Sequence, residues 1–124
     1  MESIAHLPAL RRGRPYESLE KSQLLDHRTG TPLVSISQVN AGILRKDLAR
    51  VGESRAALKR FTSAQMLELC ARAGEQFLNS TLPLGDKGHT QTPQEYLETL
   101  SRTSGLPHNM VRRNMNKIND SLAH

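Results

Sequence analysis

The sequence predicts a mainly α-helical domain with one small β-hairpin, an α+β chain of four to five helices packed around one thin core. Three observations predict it. Apolar residues recur at helical spacing over most of residues 40–120. Helix-start signals stand at Thr62 and Thr92, each followed three residues later by Gln65 or Glu95. The one alternating apolar run, residues 33–37, follows a Thr29-Gly30 turn. The core must be thin because only 36% of the 124 residues are apolar, 3% are aromatic and none is tryptophan, leaving Leu, Ile, Val, Ala and Met to fill it.

Taken in order, residues 1–16 are broken by Pro8, Gly13 and Pro15, and residues 1–22 read as an irregular amino-terminal arm. A hairpin-plus-helix domain is expected over 23–120, with a short tail at 121–124. Its strands are expected at 23–26 and 33–37, joined through Thr29-Gly30, with Pro32 confined to a strand start or an edge because it cannot donate a ladder hydrogen bond. A two-stranded hairpin is marginal in water, so it must lie on helices or join a wider sheet. Asn40 is a plausible N-cap for a helical run through Ile43, Leu44, Leu48 and Val51. Ala56, Leu58 and Phe61 extend that run past Gly52 as one bent helix or two short ones. Thr62 and Gln65 form a capping box ahead of the stripe Met66, Leu69, Cys70, Ala73 and Phe77, which predicts a core helix. Residues 82–90, with Pro83, Gly85 and Gly88, read as a surface loop. Thr92, Pro93 and Glu95 then start a helix with Tyr96, Leu97 and Leu100 on its apolar side. Gly105 ends that helix, and Pro107 begins a last one bearing Met110, Val111, Met115 and Ile118.

The chemistry-bearing residues are sparse. His6, His27, His89, His108 and His124 are far apart, and no close His or Cys pair has ligand spacing, so no metal site is expected and each histidine reads as a surface or turn residue. Cys70, the single cysteine, excludes an intramolecular disulfide, fits a reducing, cytoplasmic compartment, and sits on an apolar stripe where packing is its expected role. Gly85 to Gly88 lacks the Gly-Lys-Ser or Gly-Lys-Thr sequence of a phosphate-binding loop. No apolar run approaches the ~20 residues needed to cross a bilayer, and no secretion signal is evident. The net charge of +5, from 17 Lys and Arg against 12 Asp and Glu, is dispersed along the chain and reads as solvated helix faces. No catalytic, cofactor-binding or metal-ligating residue is assigned.

Two resemblances emerge. LETLSRTSGLPHNMVRRNMNKI, residues 97–118, is similar to a helix-turn-helix DNA-binding motif. That similarity implies a nucleic-acid contact through His108, Asn109, Arg112, Arg113 and Lys117. Over residues 24–118, LLDHRTGTPLVSISQVN, then RFTSAQMLELCARAGEQFL, then LSRTSGLPHNMVRRNMNKI resembles, in order, the amino-terminal region of the aldehyde dehydrogenase superfamily. RPYESLEKSQLLDHRTG looks most like its acyl-CoA-reductase-like branch. The resemblance implies a non-catalytic segment that frames a cofactor domain supplied by later sequence. NAD(P), the nucleophilic cysteine and the base would all belong to that remainder, which is the expected partner in cis, and this chain alone would be inactive. No membrane partner is expected. A protein-interaction adaptor is the third reading, with a separate partner protein.

Overall fold

The computed structural model describes residues 4–124. Seven short strands and five helices follow in order among them. The strands are β1 (Ala5–Leu7), β2 (Ala9–Arg11), β3 (Arg14–Tyr16), β4 (Lys21–Leu25), β5 (Pro32–Ser37), β6 (Leu82–Leu84) and β7 (His89–Gln91). The helices are α1 (Ala41–Ala49), α2 (Val51–Leu58), α3 (Ser63–Asn79), α4 (Pro93–Ser104) and α5 (His108–Ala123). The expected α+β class with five helices is therefore found. No helix among the described residues is long and apolar enough to cross a membrane.

The expected hairpin is β4–β5, and its turn is set by Asp26. The Asp26 side chain accepts from the Arg28 N–H at 2.8 Å and the Thr29 N–H at 3.3 Å. Gly30 takes a φ of 72°, which costs glycine nothing, and donates its N–H to the Asp26 carbonyl. Pro32 opens β5, where its missing N–H is tolerated. The hairpin gains a third strand because β1 lies parallel to β5, Ala5 opposite Val34 and Leu7 opposite Ile36, giving the order β1-β5-β4.

That pairing corrects the expected irregular arm over 1–22. Residues 5–16 form three strands, and β2–β3 closes as its own hairpin through Arg12 and Gly13, both at positive φ. Residues 1–3 of the arm lie outside the described residues. The expected loop over 82–90 is likewise a small hairpin, β6–β7, with only its turn left as loop. Gly85 is required there: a Cβ on it would stand 1.9 Å from the His6 carbonyl oxygen. The expected tail at 121–124 continues α5 as far as Ala123.

The helices start where the sequence places them. Thr62 and Thr92 both form complete capping boxes, and Asn40 accepts from the Ile43 N–H at 2.9 Å. The run after Asn40 is two helices, broken at Arg50 (φ −109°, ψ 14°) rather than at Gly52. Gly105 ends α4 at φ 78°. The main core lies among the last three helices: Leu97, Val111 and Met115 are buried, with Phe77, Leu78, Tyr96, Leu100 and Leu106 packed against them. Phe77 meets Tyr96 edge-on, ring centroids 5.1 Å apart.

The expected core role of Cys70 is corrected, since Cys70 is exposed. The seam of α3 against α5 runs through buried Gly74, beside Asn119 and Leu122, and on to Phe77 and Leu78. Gly74 meets Asn119 and Leu122 in the last turns of α5, and the first two turns of α3 form an overhang beyond that seam. Leu67, Leu69 and Cys70 stand on that overhang and remain exposed.

Candidate functional site

Three constellations of polar side chains stand out. The first is the face of α5 singled out by the sequence. His108, Asn109, Arg112, Arg113 and Lys117 are all exposed, while Val111 and Met115 turn inward. They do not make one tight cluster. Five residues along a helix carry Lys117 about 140° around the axis from Arg112. His108 lines a groove beside Asp26 and Arg102, whereas Arg112 lines another with Leu78 and Pro93. The β4–β5 turn is tied to the end of α4, because the His27 N–H donates to the Arg102 carbonyl and Arg102 pairs with Asp26 at 2.9 Å. The hairpin turn therefore stands next to the helix start that a major-groove reader would insert. Two backbone N–H donors, from Arg28 first, and the Arg102 guanidinium hold the Asp26 carboxyl below the usual carboxylate range.

The second constellation is a chain of Ser37 and His6, both buried, and Asp86, which lies at the surface. His6 Nε2 lies 2.7 Å from the Ser37 Oγ and Nδ1 lies 2.8 Å from Asp86. The expectation that each histidine is a surface or turn residue is corrected at His6, which is only 4% exposed. The pattern matches the hydrogen bonds of a nucleophilic triad. Its serine is nevertheless buried and its oxygen also accepts the Ser18 N–H, so it braces β1, β5 and the β6–β7 turn. Ligand atoms of His6, Glu17 and Asp86 come within 4.8 Å of one another. They are already engaged, since Glu17 takes Lys21 at 2.6 Å and Lys87 at 3.4 Å while Asp86 takes His6.

The third was not legible as a site. A groove of about 880 Å³ opens between the β2–β3 hairpin and the α1–α2 pair. Arg11 grips Asp47 with two hydrogen bonds, at 2.8 and 2.7 Å, and its guanidinium lies 4.9 Å from the centre of the Tyr16 ring. Glu53 bridges Arg12 and Arg50. The Arg11 hydrogen bonds hold the Asp47 carboxyl low, and Arg50, then Arg12, do the same for Glu53. The arginines come from a strand and its turn, their acids from helices 36 and 41 residues away in sequence. The only sequence signal was the RRGR run itself.

Comparison of the chain with protein-family models, with curated proteins and with solved structures finds no match.

Proposed function

We propose that this chain serves as the non-catalytic amino-terminal segment of an aldehyde-dehydrogenase-like or acyl-CoA-reductase-like oxidoreductase. Its uncovered apolar face would dock on the cofactor domain of that enzyme. The observation that carries the reading is the amount of apolar surface left bare. The chain exposes 9360 Å² of polar and apolar surface together, against about 6,600 Å² expected for a compact monomer of 13.8 kDa. The excess is several times the roughly 800 Å² that a standard interface takes from each partner. It includes Leu44, Leu48 and Val51 on α1–α2, exposed by 53%, 67% and 57%, together with Leu67 and Leu69 on the α3 overhang. Solitary exposed leucines are ordinary, but a run of them across consecutive helices with no buried residue is the mark of a covered surface.

The choice of partner rests on element order. Strand, Thr-Gly turn, strand and helix follow one another as in the resemblance, so we favour an enzyme domain in cis over an unrelated adaptor partner. NAD(P) and the thiol chemistry then belong to that domain, and Cys70 takes no part in them. The helix-turn-helix reading has less support, because His108 and Arg112 line separate grooves against the body.

An immunoblot of source cells with an antibody raised against this chain tests the proposal. A band several times heavier than 13.8 kDa is expected. A 13.8 kDa band that also runs as a free monomer under native conditions overturns it.

A further inference from the structure

The groove between β2–β3 and α1–α2 has the makings of a ligand site. Its volume, about 880 Å³, falls within the range of small-molecule pockets, roughly 300–1,000 Å³. Its rim carries four guanidinium groups, from Arg11, Arg12, Arg14 and Arg50, and two carboxylates, Asp47 and Glu53. Both carboxylates are spent: Asp47 on Arg11, Glu53 on Arg12 and Arg50. The Arg14 backbone pairs with Arg11 in the β2–β3 ladder, but its guanidinium has no hydrogen-bond or ion-pair partner among the described residues. The rim therefore keeps two positive charges in excess, matching a phosphate monoester, which carries about −1.5 to −2 near pH 7. If the arginines served only to staple the hairpin to the helices, two arginines facing two acids would suffice. The apolar walls supply the other half of the site. Phe61 and Leu58 are half exposed at one side, and Tyr16 and Pro15 form the other.

We propose that this groove binds an organic phosphate, its phosphate held by Arg14 with Arg12 and Arg50 and its ring body laid against Tyr16, Leu58 and Phe61. Guanidinium groups recognise phosphate through paired N–H donors, and aromatic and apolar side chains accept a flat ring. The site is independent of the docking face, which uses Leu44, Leu48 and Val51, so failure of one proposal leaves the other standing.

Calorimetric titration of the chain with AMP, with adenosine and with inorganic phosphate tests it at low salt. AMP is expected to bind at least about tenfold more tightly than either fragment, and Arg14→Gln to weaken AMP by about tenfold or more. The Arg14 guanidinium has no partner to lose, so this variant should keep the wild-type melting temperature. The paired variant Arg112→Gln/Arg113→Gln, on α5, should bind AMP like the wild type. Absence of AMP binding, equal affinity for inorganic phosphate, an unaffected Arg14→Gln, or an equal loss in the α5 variant overturns the proposal, the last by reducing the effect to general attraction toward a basic protein.

Discussion

The two ends of the helical layer are built by the same local rules and finish in opposite states. At one end α4 and α5 bury Leu97 and Val111, at 2% and 0% exposure, against α3. At the other, α1 and α2 contain no buried residue at all, although Asn40 caps α1 just as Thr62 and Thr92 cap their helices. Helices of nine and eight residues are marginal without tertiary packing. What holds α1–α2 to the body includes the ion pairs of Arg11 with Asp47 and Arg12 with Glu53. Pairs that remain open to solvent add little beside a packed core. Capping thus decides where a helix begins, and only a facing surface decides whether it is stable.

Substitutions can break or sharpen this contrast. The largest effect is expected at Leu97→Ala, where the cavity left in the α3–α4–α5 core should cost about 2–5 kcal/mol in chemical denaturation. Gly85→Ala comes next, at about 1–3 kcal/mol, because its positive φ and the His6 carbonyl both oppose a side chain. Thr62→Ala removes a capping box and should cost about 1 kcal/mol even though the turn it starts is unpacked, since a cap acts locally. Leu48→Ala should change the stability of the isolated chain by less than about 0.5 kcal/mol, as expected of a surface position. A cost at Leu48 comparable to that at Leu97 would mean that α1–α2 is packed after all.

Acid adds a probe of the junction between hairpin and α4. The folded Asp26 carboxyl sits below its unfolded value, so the stability it contributes is fully present above the ordinary carboxylate range. That contribution is lost as pH falls from about 4 through the folded value. Melting temperatures of wild type and Asp26→Asn should therefore differ at neutral pH and converge in acid. A constant difference across that window would remove the charge of Asp26 from the explanation.

Much of the helical layer was legible because its signals are local. Both capping boxes, the Gly105 terminus and the Thr29-Gly30 turn depend on residues a few positions apart. The β1 strand was not legible, because three residues pair in parallel with β5 about thirty positions away and Pro8 follows at once. Likewise β3 holds Pro15 opposite Leu10 in an isolated hairpin, where the missing N–H breaks no wider ladder. Cys70 was misplaced because periodicity defines an apolar stripe but not how far the partner helix extends along it. The arginine groove depends on side chains meeting across 36 and 41 residues, a distance at which sequence pattern carries no signal.

Hydrogen exchange of the backbone amides in the isolated chain tests the central contrast most directly. Amides of α1 and α2 should exchange through local opening, well before the rest of the chain unfolds, while those of α4 and α5 around Leu97 and Val111 exchange only through global unfolding. Protection in α1–α2 equal to that in α5 would contradict it, because those helices would then be covered within this chain and would need no domain outside it.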